Sequence, residues 1–310
     1  MSHYLLSFRL YKDGGPVTSG SLYLPVGDED SKWDHQLADI TSKTRGNRVL
    51  VLLHGYNTNY ADGRLQLIRY MEMLEGFTGI MLATLWPGDG WAKALTYPFE
   101  GCDADDTGDA LFKWITTHVD NSARISFVAH SLGSRVAMRT ANQLALRRRP
   151  VLDRICLMAP AIDSDSLGRV CHNRGRADKT CYRDATLIAD RIAVLASEED
   201  LVLRFAYPLG DLTQTVLYGE RWGSALGRTG PVEKDPAVTV RIESVPKSKS
   251  SCSIGHSDYL EVDSTGQTIA KSEKFVVDFL DKVPKPVWPP TQDSHCDKPL
   301  VDNVPNENPM

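Results

Sequence analysis

Short apolar runs alternate with amphipathic stretches from Arg48 onward. Most of these runs are apolar throughout, which is typical of strands covered on both faces of a sheet. Strands that alternate with helical patterns predict βαβ units and a mainly parallel sheet. The predicted strands are Arg48–Leu53, Gly79–Leu85, Arg124–Ala129, Arg154–Met158, Arg191–Ala196 and Val238–Ile242.

Apolar residues at helical spacing mark the segments between these strands and one segment after them. The marking residues are Leu67, Ile68, Met71 and Leu74, then Leu111, Trp114, Ile115 and Val119, then Val136, Thr140, Leu144 and Ala145, and last Val276, Phe279, Leu280 and Val283. The first helix is expected to end at Gly76, and the third to run from about Ser131 to Arg149, where Pro150 stops it.

An acidic cluster of Asp105, Asp106 and Asp109 precedes the apolar positions of the second helix. Negative charge at the start of a helix complements the helix dipole, so these residues are expected to open that helix. A metal site is the less favoured alternative.

Upstream of the parallel part, Tyr4–Lys12 and Ser21–Val26 predict two antiparallel strands joined through Gly14, Gly15 and Pro16. They would form the antiparallel N-terminal edge of a sheet with helices on both faces. We expect one α/β domain over residues 1–283, with insertions at about 162–190 and 207–237 that form a cap. Frequent prolines predict an extended or disordered tail over residues 284–310.

Composition is that of a soluble globular protein, with 42% hydrophobic and 24% charged residues among 310. The formal net charge of -5 provides no basic field for a phosphate backbone, so nucleic acid is not an expected partner. Neither a signal peptide nor an apolar run near the ~18 residues of a membrane span is present. Stable membrane insertion is therefore not expected, and a cytoplasmic location is predicted.

Six cysteines are too sparse for a disulfide scaffold. Cys156 lies in an apolar run and is expected to be a buried small hydrophobe. Cys171 and Cys181 bracket a polar loop, and a disulfide between them is the less favoured alternative.

The strongest chemical signal is Ala129-His130-Ser131-Leu132-Gly133, between a predicted strand and a predicted helix. This is the context of a nucleophile elbow, a tight turn that lifts the serine Oγ above the sheet edge. Small residues two before and two after the serine let the backbones of strand and helix approach. A helix N-cap serine beside a glycine is the ordinary alternative, and the surrounding strand and helix disfavour it.

A second signal is His54-Gly55-Tyr56-Asn57, directly after the strand that ends at Leu53. In a sheet with a nucleophile elbow, this loop supplies one backbone N–H of the oxyanion hole, and the residue after the nucleophile supplies the other. Tyr56 and Leu132 are therefore the expected donors. His54 is expected to be a structural hydrogen-bonding residue, because the catalytic histidine of such enzymes comes last in the chain.

Together, LLHGYN, TLWPGDG (Thr84–Gly90) and VAHSLG resemble the α/β-hydrolase superfamily over residues 48 to 282. The combination looks like that of a bacterial branch of largely uncharacterised serine hydrolases that share H-G-Y-N, W-P and a-H-S-x-G. The resemblance implies a Ser–acid–His triad, no metal, no cofactor, and hydrolysis of an ester or related acyl bond. It does not define the acyl compound.

The acid is expected after a strand beyond the nucleophile. Ser197-Glu198-Glu199-Asp200 follows Arg191–Ala196 and looks like the S-x-x-D turn of the family, so Asp200 is preferred over Glu198 and Glu199. Asp163 is the alternative acid, because it follows the preceding strand, where some relatives carry this residue.

The base follows by elimination, since only His256 and His295 come after Asp200, and His295 is in the proline-rich tail. His256 lies before the last helix, where the resemblance expects the base. An exposed loop histidine is the alternative.

Trp86, Trp91 and Tyr97 either line the acyl pocket or pack in the core. We expect a carboxylic ester hydrolase that acts on a small-molecule acyl ester. A thioesterase, an amidase, an acyltransferase and a non-catalytic binding protein with this fold are the alternatives.

Overall fold

Eight strands form one sheet in the part of the chain that the computed structural model describes, in the order β2-β1-β4-β3-β5-β6-β7-β8. β1 and β2 are antiparallel, and every other neighbouring pair is parallel. The strands are β1 Ser2–Tyr11, β2 Gly14–Tyr23, β3 Arg48–Leu53, β4 Ile80–Leu85, β5 Arg124–His130, β6 Val151–Met158, β7 Arg191–Leu195 and β8 Ile242–Val245. The described residues are 2–11, 14–23, 37–56, 58–88, 97–168, 181–204, 224–231, 242–245, 254–261, 267–268 and 270–282.

Helices flank the sheet and pack on its buried central strands. Every side chain of β4 is buried, as are nearly all of β3 and β5, which explains their apolar sequences. The helices are α1 Leu37–Thr44, α2 Tyr60–Met73, α3 Tyr97–His118, α4 Gly133–Arg147, α5 Arg183–Ile188, α6 Leu226–Thr229 and α7 Glu273–Leu280. The predicted fold class, a mainly parallel α/β sheet with an antiparallel N-terminal edge, is confirmed.

The acidic cluster does not open its helix, so that prediction is wrong. α3 begins at Tyr97, and the cluster lies well inside it. Asp105 receives two hydrogen bonds from the guanidinium of Arg135, each 2.9 Å long, and Asp109 pairs with Arg139 at 2.7 Å. The carboxylates therefore join α3 to α4, the helix that follows Ser131, and they do not form a metal site.

Two strand predictions also need correction. β2 begins at Gly14, which pairs with Tyr11, so the residues expected to form the turn belong to the strand. Glycine and proline are tolerated there because β2 is an edge strand. The last strand is Ile242–Val245, and among the described strands it pairs with β7 alone, as an edge strand. An edge strand tolerates the polar residues that this segment contains. Residues 232–241, which include most of its predicted range, lie outside the described residues.

The end of α7 is joined to the amino ends of the strands by arginines. Arg48 donates to the Leu280 carbonyl and to Asp281, both at 2.6 Å, and Arg154 donates to the Phe279 carbonyl. Cations at a helix C-terminus complement its dipole. These contacts fix α7, the helix that follows the His256 segment, near the amino ends of the strands, whereas Ser131 lies at their carboxyl ends.

Several predictions fall wholly or partly outside the described residues. They are the tail at 284–310, residues 169–180 of the first insertion and most of the second, so the domain limits stay predictions. Cys156 is a buried free thiol, as expected. Cys181 is disulfide-bonded, which we did not expect from the sparse cysteines, and Cys171 is not among the described residues. None of the described helices combines the length and apolarity that a membrane crossing needs.

Candidate active site

Ser131 occupies a sharp turn between β5 and α4. Its φ of 51° lies in the left-handed region, where a non-glycine residue costs about 1–3 kcal/mol. A Cβ on Gly133 would lie 2.2 Å from the His54 carbonyl oxygen, so only glycine permits this approach of helix and loop. The strained turn and the close contact are the local structure that the spacing of small residues predicts.

The imidazole of His256 links Ser131 to Asp200. Nε2 lies 2.7 Å from the Ser131 Oγ, and Nδ1 lies 2.7 Å from the Asp200 Oδ2. Ser131 is only 5% exposed and Asp200 is fully buried. A hydroxyl, an imidazole and a carboxylate in this sequence of contacts can deprotonate the hydroxyl and stabilise the resulting imidazolium.

The position of Asp200 is fixed by the turn after β7. Its Oδ1 accepts from the Leu203 N–H at 2.9 Å, and its own N–H donates to the Ser197 carbonyl at 3.2 Å. The Ser197 hydroxyl donates to the Ile254 carbonyl at 2.8 Å, which joins the acid turn to the histidine segment.

The alternative acids are not the residue that contacts the His256 Nδ1. Glu198 and Glu199 are exposed on the same turn. Asp163 follows β6 and forms a backbone bridge with Ala225. The carboxylate on the His256 Nδ1 is that of Asp200.

The side chain of His130 contacts the backbone of His256, the expected base. Its Nε2–H donates to the His256 carbonyl at 2.7 Å, and the two rings lie 4.9 Å apart between centroids. Burial, and then the nearby His256, lower the pKa of His130 to about 3. The His130 ring is therefore neutral at pH 7, with one nitrogen available as donor to the His256 backbone.

His54 lies beneath the loop that it begins. Its Nδ1–H donates to the Gly55 carbonyl at 2.7 Å, and its Nε2 accepts from the Trp86 N–H at 3.3 Å. This pattern requires a neutral imidazole. Burial lowers the pKa of His54 to about 4, and the charge of Arg9 acts in the same direction.

Trp86 packs in the core. It is fully buried, its ring stacks on His54 with centroids 5.7 Å apart, and its Nε1–H donates to the His54 carbonyl at 2.9 Å. Of the two sequence interpretations, the structure therefore supports packing for Trp86. Trp91 and the side chain of Tyr97 lie outside the described residues, as does Asn57.

The two expected oxyanion donors lie on neighbouring loops. β3 and β5 are adjacent and parallel, with Leu53 level with Ala129, so the loops that carry Tyr56 and Leu132 leave the sheet side by side. A Cβ on Gly55 would lie 3.0 Å from the Ser131 Cβ, which shows how closely these loops approach.

Within the described residues, no group of three or more metal-binding side chains occurs.

Arg9 is a buried residue near the site that the sequence patterns do not indicate. The sequence predicts an ordinary polar position of the N-terminal hairpin. In the structure the guanidinium is buried and donates to the Trp86 carbonyl at 3.2 Å. No local motif marks it, because its partners are distant in sequence.

The two neutral histidines predict a pH dependence of stability. Below pH 6.5 the unfolded chain protonates His54 and His130, whereas the folded chain keeps them neutral down to about pH 4 and about pH 3. Their contribution is complete above pH 6.5 and is lost as pH falls towards these values, by roughly 1.4 kcal/mol per pH unit for each histidine. The free energy of unfolding from urea titrations of His130→Gln should depend less steeply on pH than that of the wild type: near pH 5 its slope against pH should be smaller by about one proton, and this difference should fade towards about pH 7. Parallel slopes would contradict a neutral His130.

Sheet order, the strained elbow and the linked side chains define an α/β hydrolase. A family model confirms this class: residues 29–271 match the family described as "Alpha/beta hydrolase of unknown function (DUF900)", and the chain belongs to this family. No curated protein matches the sequence at a significant level.

Solved structures similar to the chain include three esterases. A propionate-bound thermophilic esterase, Est2, from Thermogutta terrifontis has 12% identity and a TM-score of 0.40, over 78% of this chain and 87% of that chain. Carboxyl esterase 2 of Tuber melanosporum has 11% identity and a TM-score of 0.38, over 76% and 77%. The thermostable carboxylesterase EstE1 from a metagenomic library has 12% identity and a TM-score of 0.37, over 77% and 80%.

Proposed function

We propose that this chain is a serine hydrolase that cleaves carboxylic esters of small molecules through an acyl-enzyme on Ser131. The observation that carries the proposal is the continuous chain of hydrogen bonds from the Ser131 Oγ through His256 to Asp200. Nothing in the folding of a sheet requires a strained serine, a histidine and a buried carboxylate to meet at one edge. A binding protein with this fold has no use for such an arrangement.

In the first half of the reaction, the Ser131 Oγ attacks the ester carbonyl carbon as its proton passes to the His256 Nε2. Asp200 holds the imidazole in the tautomer that leaves Nε2 free to accept, and it stabilises the imidazolium. The N–H groups of Tyr56 and Leu132 stabilise the tetrahedral oxyanion, each by about 3 kcal/mol.

The intermediate then collapses, the bond to the leaving alcohol oxygen breaks, and His256 returns the proton to that oxygen. In the second half, water loses a proton to His256 and attacks the acyl carbon. The acid product leaves and the Ser131 hydroxyl is restored.

The neutral histidines support this chemistry in different ways. The bond from the His130 ring to the His256 carbonyl holds the base above Ser131. A neutral His130 also adds no positive charge beside His256, which has to become an imidazolium during the reaction. His54 holds the start of the loop that carries Tyr56.

Thioesters, amides and acyl transfer use the same nucleophilic step, and ester hydrolysis is the member of this group that we propose. No resident metal or cofactor enters the mechanism. The proposed location is the cytoplasm, although a disulfide at Cys181 is more typical of oxidising compartments.

A panel of p-nitrophenyl esters of increasing acyl length, with a matched thioester and anilide, tests the proposed reaction. We expect hydrolysis of the short, soluble esters, with the thioester slower and the anilide slowest. Faster turnover of the thioester or the anilide than of every ester would reject ester hydrolysis as the main activity.

A further inference from the structure

Arg9 lies on the N-terminal hairpin, outside residues 29–271 that match the family. Ser7 of β1 is level with Leu85 at the carboxyl end of β4, so Arg9 stands at the edge of the sheet from which the loops of the site leave. Its side chain is buried, with 7% of the residue exposed. A charged side chain is rarely buried unless hydrogen bonds compensate its lost hydration.

The guanidinium of Arg9 contacts both loops that surround His54. Its Nη1 donates to the Trp86 carbonyl at 3.2 Å and lies 3.5 Å from the Thr58 carbonyl. Trp86 in turn donates twice to His54, through its backbone N–H and its indole N–H. One buried cation therefore connects the loop after β4 to the loop after β3.

Thr58 connects Arg9 to Tyr56, the proposed oxyanion donor. The Thr58 hydroxyl donates to the Tyr56 carbonyl at 3.3 Å, so Arg9 and Tyr56 are two contacts apart. The charge of Arg9 also disfavours protonation of His54, whose neutral Nε2 has to accept from Trp86. Arg9 is thus connected to both ends of the segment from His54 to Tyr56.

We infer that Arg9 is a positioning residue for the oxyanion hole: its guanidinium holds the Thr58 and Trp86 carbonyls and so fixes the peptide N–H of Tyr56 for the transition state. This inference rests on the proposed function. It makes the N-terminal hairpin, which lies outside the family match, a working part of the site.

The test compares Arg9→Met, Arg9→Lys and Thr58→Val with the wild type in full-length protein. The readouts are kcat and KM for a short p-nitrophenyl ester, the inhibition constant of an alkyl boronic acid, which forms a tetrahedral adduct on serine, and the melting temperature. Arg48→Met is the control, because Arg48 also bonds a backbone carbonyl, but at the opposite edge of the sheet.

Arg9→Met is expected to lower kcat by about tenfold or more and to change KM by no more than about twofold, where kcat is expressed per labelled serine, the serine that reacts with a serine probe. Removing an oxyanion donor outright lowers kcat by about 10²–10³, which sets the scale of the loss. Boronic acid affinity should fall by a similar factor. Thr58→Val should show the same pattern, and the double variant should lose less than the product of the two single losses, because both side chains act on Tyr56. Arg48→Met should lower the melting temperature and leave kcat per labelled serine unchanged.

Arg9→Lys keeps the charge but presents one compact donor group, and it is expected to fold with a severalfold loss of kcat. Unchanged kcat and boronic acid affinity in Arg9→Lys and in folded Arg9→Met, with only a lower melting temperature, would reduce Arg9 to a structural contact and overturn the inference. A wild type that neither hydrolyses esters nor reacts with a serine probe would instead reject the proposed function, and the inference with it.

Discussion

Ser131→Ala is expected to abolish ester hydrolysis, with kcat reduced by on the order of 10⁶, the size of loss known for removal of a triad serine. The substitution removes one oxygen atom and leaves the turn, the His256–Asp200 contact and the loop of Tyr56 in place. Any residual rate reports the oxyanion hole and substrate binding alone. Turnover of the best substrate of the ester panel, measured with enzyme titrated to high concentration, gives the number.

Ser134→Ala is the matched control for this variant. Ser134 lies one turn further along the chain, and its buried hydroxyl makes no hydrogen bond among the described residues. It should keep full activity, and both variants should keep the wild-type melting temperature within a few degrees. If Ser131→Ala hydrolysed the ester at the wild-type rate, Ser131 would not be the nucleophile.

Asp200→Asn is expected to reduce kcat by roughly 10⁴. The amide preserves the shape of the side chain, but its NH₂ group on the His256 Nδ1 favours the imidazole tautomer with the proton on Nε2, which cannot accept from Ser131. The negative charge that stabilises the imidazolium is lost as well. Because Asp200 is fully buried, water does not replace that charge.

Asp163→Asn and Glu199→Gln are the controls for the acid, and both should remain active, since neither carboxylate is the partner of the His256 Nδ1. Stopped-flow measurement of acylation in all three variants separates the chemical step from product release. An inactive Asp163→Asn beside an active Asp200→Asn would move the acid to the end of β6.

The order of strands and turns in the chain was predictable because local signals are strong there. Apolar runs covered on both faces marked the parallel strands, and the spacing Ala129-x-Ser131-x-Gly133 marked a tight turn between strand and helix. The S-x-x-D turn that ends at Asp200 indicated the acid through the family resemblance, and elimination left His256 as the base. In the structure the His256 imidazole lies within hydrogen-bonding distance of both the Ser131 hydroxyl and the Asp200 carboxylate.

What could not be predicted depends on contacts between distant residues. Asp105 and Asp109 were interpreted as a helix start because their partners, Arg135 and Arg139, lie 30 residues further along the chain. The contact between Arg9 and the Trp86 carbonyl was not predictable for the same reason, since these residues are 77 positions apart in the chain. Buried ion pairs and buried arginines occupy positions inside the protein, whereas apolar periodicity predicts that charged residues lie at the surface.

Labelling with a fluorophosphonate probe, followed by mass spectrometry of the digested protein, tests the central claim most directly. The reagent reacts much faster with a serine whose hydroxyl a neighbouring base has activated than with other serines. We expect one label per chain, on Ser131, with ester hydrolysis lost in proportion to labelling and no labelling of His256→Ala. Ester turnover that persists in fully labelled protein, or a label on a serine other than Ser131, would contradict the assignment of Ser131 as nucleophile and His256 as its base.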